Sequence, residues 1–569
     1  MVAFDLIQAL EYLWSNFTWV TGIAVYVCLC LVTRFVSGVQ SRRTTPAQEG
    51  KKAQCPRTTP YWFPWLGHSV PFLWNHLSLL EALRVSAKES VFGIYLSGET
   101  FQVVASPSIM RNVCSSQETT RSPLVDKALR NVFGNRSSRH ITRIVQHEEL
   151  DLDVSSTIAH KPFISDASKS IEKILRREVQ NFVSFGRSPV DQYQWERDAE
   201  VSTTEGNQST SETKLFALIR AFVGHNLTIL LMSDAFFDNF PLFLTDLWTL
   251  DENFVPLFTG LRRWIPTTPN VSAAFPARDR LLHTLSVFHR AFNAFQDGFD
   301  PHDVTWWDLD NVSELFKIRM RTFHRLEMPP SASASDQLSL FWDLIEYSAK
   351  LTFWMVAHIS ADSALLKDIR AEASETVRSS RPSQTGLPFP EPPQLEIDIE
   401  NMLESCQLLR ACYYESVRLH TAGISLRKLK ADMRVTESTE DAVQPRTYEL
   451  HKGETVMMPH GLVNRDPQRF SNPDQFDPLR FIVTDEDSGL KRACAASLEP
   501  FSEGLHGSKH NAFTERAVLA FAASIVSMWD ITAVDGIELR VPDNCETWGT
   551  LRPAKDVNVK IQLREELRR

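Results

Sequence analysis

The sequence has no C-x-x-C pair among its eight cysteines, so it offers neither the usual spacing of a zinc site nor a disulfide framework. Cys28, Cys30, Cys55, Cys114, Cys406, Cys412, Cys494 and Cys545 lie scattered, the pattern of reduced thiols in a body facing the cytosol. A basic excess is missing too. At a net charge of −10 the chain has no global reserve of positive charge for phosphates, and no nucleic-acid partner is expected. No internal repeat is visible, and a second long uncharged run does not follow the first. What is present is apolar bulk: 43% hydrophobic residues, with 35 Phe and 14 Trp, supply a large core and exclude disorder as the dominant state.

The first informative segment is N-terminal. Tyr12 to Thr33 carries no charge and includes WVTGIAVYVCLCLV. About 20 residues at ~1.5 Å each cross ~30 Å of hydrocarbon, and this run suffices. Asp5 and Glu11 precede it, while Arg34, Arg42, Arg43, Lys51 and Lys52 follow, which places the body on the cytosolic side. A cleaved signal peptide needs a basic start, and this start is acidic; a signal anchor is the better reading. The expected organisation is a membrane anchor over 1–36, a polar hinge over 37–59 and one domain over 60–569.

PYWFPWLGHSVPF (Pro60 to Phe72) sets prolines among aromatics and predicts an extended lead-in rather than a helix. VFGIYLSGETFQVVAS (Val91 to Ser106) reads as two short strands turning at Ser97–Gly98. From Pro107 to about Leu366 the pattern is mostly helical. Glu196 to Thr213 reads as an exposed polar loop, and Ser379 to Pro393 as a second loop that breaks the helices around it. The expected fold class is therefore mainly α with small β-sheets.

In LLRACYYESVRLHTAGISLRKL (Leu408 to Leu429), Glu415 and Arg418 share a helix face and can pair. Further on, NRDPQRFSNPDQFDPLRF (Asn464 to Phe481) embeds Arg480. Together these resemble the cytochrome P-450 superfamily, in which such residues form a buried charge triad beneath a heme; here it would be Glu415, Arg418 and Arg480. PYWFPWLGH, the long helix LFWDLIEYSAKLTFWMVAHI (Leu340 to Ile359) and WGTLRPAKDVNVKI (Trp548 to Ile561) extend the resemblance over nearly the whole chain. They resemble the branch of prostacyclin synthase, cholesterol 7α-hydroxylase and fungal relatives. The resemblance implies a cytochrome P-450 fold after one transmembrane helix, in the endoplasmic reticulum membrane with its body cytosolic.

The chain then departs from that family's signature, F-x-x-G-x-x-x-C-x-G, whose cysteine ligates the heme iron. PFSEGLHGSKHNAFTERAVLAF (Pro500 to Phe521) aligns without a gap, with Phe501, Gly504 and His506 in register. The cysteine position is Ser508, followed by Lys509, His510 and Asn511. A hydroxyl stays protonated near neutral pH and is a poor iron ligand, where a thiolate pushes electron density toward the iron. His506 and His510 are candidate substitutes, although solvated or structural histidines are the plainer reading. On the central helix, where the family uses a small residue and a Thr to deliver protons, stand Glu346, Tyr347, Ser348 and Lys350. Buried, such groups act as a general acid or base; facing outward, they have no chemistry.

Three functions fit these residues. The favoured one is a non-oxidative enzyme on the P-450 scaffold, without a cofactor, that cyclises or rearranges a lipophilic small molecule of fungal secondary metabolism. The second is a heme-binding monooxygenase or isomerase with an unusual axial ligand. The third is a catalytically inactive binding or scaffold protein. The candidate partners are a lipophilic substrate and the membrane.

Overall fold

The computed structural model describes residues 2–43, 53–135, 137, 161–203, 209–260, 269–299, 309, 311–382, 392–439, 444–485, 489–498, 511–536, 538–545, 547 and 549–568. The helices that matter below are α1 (Val2–Arg43), α2 (Leu215–Met232), α3 (Phe243–Glu252), α4 (Pro269–Gln296), α5 (Pro330–Ala361), α6 (Gln407–His420) and α7 (Asn511–Met528). Helix dominates and the sheets are small, as the sequence pattern predicts. The chain divides into two compact units, residues 1–121 with 425–463, and residues 122–424 with 464–569.

The first unit holds α1 and a six-stranded sheet. Spatially, its strands run Arg57–Thr58, Val91–Leu96, Glu99–Val104, Thr455–Pro459, Ile424–Leu429 and Thr119–Thr120. The hairpin expected around Ser97–Gly98 is there, pairing Val91 with Val104 through Leu96 with Glu99. Both turn residues take positive φ, 46° at Ser97 and 100° at Gly98, the geometry that matches the twist of two-residue hairpins. Beneath the sheet Val91, Val104, Ile109, Val113, Tyr448 and Val456 form one buried cluster.

Trp19–Arg42 within α1 has a mean hydropathy of 1.9, is almost wholly exposed, and is long enough to span a membrane. The helix runs on to Arg43, through the first residues expected to be hinge. Arg34 donates to the Pro60 carbonyl and lies over the Trp62 ring, while Ser37 and Tyr61 exchange two hydrogen bonds. The lead-in expected over Pro60–Phe72 is irregular up to His68, after which Ser69–Trp74 forms a short helix.

In the second unit α5 is the axis, packed by α2, α4, α6 and α7. α2 is as apolar as a membrane span yet mostly buried, a core helix. Of the segment expected to be an exposed loop, Glu196–Thr213, residues 204–208 lie outside the described residues, and its two ends are a correction. Glu196 is fully buried, and its carboxylate accepts from Ser184 N, Ser184 Oγ and Tyr193 N. Ser211–Lys214 is a strand beside Asn558–Leu563. Three donors offset the cost of sealing one carboxylate, so its polarity did not report exposure. Of the Ser379–Pro393 stretch, 383–391 lies outside the described residues; the strand pair Val377–Ser380 with Gln394–Ile397 stands on either side of it.

Candidate functional site

The site is built on one stripe of α5. Trp342, Glu346, Lys350 and Trp354 recur every fourth residue, so they line up on one face of the helix. All four are buried, Glu346 and Lys350 to 1% and 0% exposure. The Lys350 ammonium lies 2.7 Å from Glu346 Oε1 and 2.8 Å from Asp251 Oδ2. It also donates to the Thr550 carbonyl at 3.2 Å. Asp251, near the end of α3, takes a second bond from Trp342 Nε1 at 3.0 Å. Burial drives Glu346 up to about 8 against the pull of Lys350, with Asp251 and Asp343 adding to the rise. For Lys350 burial lowers, but Asp251 and Glu346 outweigh it and leave the ammonium above its ordinary value.

One turn away on α5, Asp343 and Tyr347 differ from this sealed stripe. They keep partial exposure. Burial nevertheless pushes the Asp343 carboxyl up to about 7 and the Tyr347 phenol well above its usual range.

A backbone strap closes the stripe. Gly549 has φ 84°, and a Cβ there would stand 3.6 Å from Glu346 Oε2. Ala422 N donates to its carbonyl, Leu551 N donates to His420 O, and Trp354 Nε1 donates to Leu551 O. His420 stacks on Trp354 with centroids 3.7 Å apart, shares a 2.8 Å hydrogen bond with His358, and bonds Asn544 Oδ1 at 2.7 Å. Burial holds both imidazoles below the usual range, His358 at about 3.

Glu415, Arg418 and Arg480 meet in one network. Glu415 and Arg418 are fully buried; Arg418 Nε and Nη2 reach the two carboxylate oxygens at 2.7 and 2.8 Å. Arg480 Nε adds a third bond at 3.1 Å and Asp477 N a fourth at 2.9 Å. Arg418 spends its other donors on the Asn464 and Gln475 carbonyls. This network satisfies a buried ion pair in the way such a pair requires.

Of the expected catalytic residues, the structure brings Glu346 and Lys350 into contact and buries the Tyr347 hydroxyl. Ser348 is different. Its hydroxyl is sealed and donates back to the Leu344 carbonyl, which removes it from chemistry. Sequence reasoning passed over Asp343, although its place three residues before Glu346 was a signal, and Asp251, for which no local signal exists. Phe501, Gly504, His506, Ser508 and His510 lie outside the described residues.

A heme in the family fold needs an axial donor. Cys412 lies inside α6, its thiol pushed far up by burial, and Cys406 is raised the same way and bonds Thr376. Cys494 is exposed, on a segment bonded through Cys494 N to Phe481 O. A thiol held protonated by burial is a poor metal ligand. The segment that aligns with the heme-ligand signature, 499–510, lies outside the described residues.

The family model for cytochrome P450 matches residues 345–507. Cytochrome P450 monooxygenase poxD of Penicillium oxalicum is 21% identical over 266 residues, 46% of this chain and 47% of its own length. Sterol 14-demethylase of Arabidopsis thaliana is 30% identical over 135 residues, 24% of this chain and 26% of its own. Oryzalexin E synthase of Oryza sativa subsp. japonica is 25% identical over 200 residues, 35% of each chain. The chain thus spans about half or less of the length of these relatives. The family match and these relatives support a place for the chain in the cytochrome P450 superfamily, as a mostly helical P450 domain with an N-terminal apolar helix.

Proposed function

We propose that this protein is a membrane-anchored P450-like enzyme that works without a heme-thiolate. In this reading it carries out a non-oxidative cyclisation, rearrangement or pericyclic step on a lipophilic small molecule of fungal secondary metabolism. The observation that carries it is the sealed Asp251–Lys350–Glu346 cluster beside the half-exposed Asp343, on the helix that in the resembling family serves oxygen. A carboxyl poised near neutral pH gives or takes a proton efficiently, because its two states are close in energy there. An apolar space that holds one reactive conformer of the substrate supplies the rest of the barrier lowering. Ser508 at the ligand position supports the loss of thiolate, and the names of the Penicillium and rice relatives support small-molecule chemistry. The uncharged span of α1 with arginines after it supports a single-pass anchor in the endoplasmic reticulum membrane, body cytosolic.

A second reading, a heme protein with His506 or His510 on the iron, has one observation in its favour: the Glu415–Arg418–Arg480 network is intact. The absorption spectrum of the purified protein, reduced and with carbon monoxide, together with a heme assay, tests both. The expected result is folded protein without a Soret band. Stoichiometric heme overturns the first reading, and the band's position then distinguishes imidazole from thiolate ligation.

A further inference from the structure

Exposed tryptophan is confined to one end of this molecule. Among the side chains described, every tryptophan is buried except Trp19 of α1 and Trp62, Trp65 and Trp74, which follow α1 in the first unit. Leu66, Val70 and Leu73 are exposed beside them, so six large apolar side chains stand in the open within residues 62–74. Single exposed apolar residues need no explanation, whereas a group of them marks a contact surface.

The fold holds this surface in a set shape. Leu66 N donates to the Pro64 carbonyl and Gly67 N to the Phe63 carbonyl, while His68 N to Tyr95 O and Ser97 N to Leu66 O pin the loop to the hairpin. Gly67 has to be glycine, because a Cβ would collide with the Tyr95 carbonyl. Held there, Trp65 takes a left-handed φ of 60°, rare for a bulky residue, and remains 78% exposed. On the short helix Ser69–Trp74, Val70, Leu73 and Trp74 are three and four residues apart and share one face. Trp74 is 89% exposed.

The place of α1 says what meets this surface. Its uncharged run, Tyr12 to Thr33, has 22 residues, about 33 Å of helix and enough for a hydrocarbon core. Arg34, the first charge after the run, therefore stands at the headgroups. Its guanidinium lies 5.4 Å from the centre of the Trp62 ring and donates to the Pro60 carbonyl. The Ser37–Tyr61 bonds fasten the same two segments a turn further on. The start of the lead-in is thus tied to α1 at headgroup level, where an indole sits with its ring apolar and its N–H wet.

We propose that residues 62–74 are a second membrane contact. Trp62, Trp65 and Trp74 settle in the headgroup layer of the bilayer that α1 crosses, and Leu66, Val70 and Leu73 reach toward the acyl chains. The proposal rests on the reading of α1 as a membrane span. It gives the first unit two points of attachment, which fix its tilt on the bilayer where a lone helix would let it swing.

Tryptophan fluorescence of the full chain, one copy per phosphatidylcholine nanodisc, tests this. Subtracting the emission of Trp65→Ser or Trp74→Ser from that of the parent chain isolates each indole. Each isolated emission should be quenched by lipid brominated high on its acyl chains. Emission that brominated lipid leaves unquenched overturns the proposal: iodide in the buffer then quenches it if water covers the indole, and fails to if the chain itself does. Both side chains are exposed, so the substitutions should leave the urea midpoint unchanged. Carbonate extraction of membranes that carry the full chain decides the span separately. Release by carbonate ends the reading of α1, whereas a chain that stays but fails the quenching loses only the second contact.

Discussion

Replacing Glu415 with leucine removes the one acid from a fully buried network and strands Arg418. The arginine keeps two carbonyl acceptors, Asn464 O and Gln475 O, and the Phe470 ring beneath it, but loses both of its charge-assisted bonds. Removing one partner of a buried pair costs about 3–5 kcal/mol, since the remaining charge is uncompensated. At ~1.4 kcal/mol per tenfold, this reduces the folding constant by roughly a factor of a thousand. Arg480 offers an internal comparison: 12% of its side chain is exposed and it makes a single bond to Glu415, so Arg480→Leu should cost about 1 kcal/mol. Urea unfolding followed by tryptophan fluorescence reads both, the midpoint falling with an unchanged slope. A loss under about 1 kcal/mol for Glu415→Leu, or equal losses for the two variants, refutes the account of the network as a buried ion pair with one rim member.

Gly549→Ala should destabilise by about 1–2 kcal/mol through its left-handed backbone alone, seen as a lowered thermal midpoint, and should raise the fraction of Lys350 open to chemical labelling. Histidine burial sets an acid limit. His289, held at about 3 by burial and the nearby Arg319, stays neutral in the fold, whereas an unfolded histidine binds its proton near pH 6.5. Its contribution is therefore full above ~6.5 and is lost as pH falls toward its folded value, by up to ~1.4 kcal/mol per pH unit. His289→Phe should flatten the fall in stability between those limits by about one proton, measured by unfolding at several pH values. Ser508→Cys should leave the protein without heme if the loop is remodelled throughout; a thiolate-type Soret band on reconstitution shows instead that a single side chain kept heme out.

How much of this could be seen in the sequence depends on the range of each interaction. The Ser97–Gly98 hairpin, the apolar α1 and the Glu415–Arg418 pair are local patterns, fixed by turn chemistry, run length and a three-residue spacing. Glu346 and Lys350 were visible for the same reason. Asp251 was not, because it meets Lys350 from another helix and only the fold joins them. Ser348 looked like a proton carrier by position, yet a serine in mid-helix with a carbonyl four residues back has a partner at hand. Glu196 misled in the opposite sense: a polar stretch was read as surface because the sequence does not display the three donors waiting inside.

The sheet of the first unit is sewn from two distant stretches of chain, with Phe101 paired to Thr455 and Thr119 to Leu429. During synthesis the Glu99–Val104 strand therefore leaves the ribosome with one edge bare, and it stays bare until the whole intervening unit has been made. At ~5–20 residues per second that wait is on the order of tens of seconds, for an edge of buried-type residues following an apolar helix. The order of translation thus gives this protein a vulnerable interval that ends only when Thr455–Pro459 arrives. A ribosome paused inside the second unit would prolong it, and a holdase is most useful there.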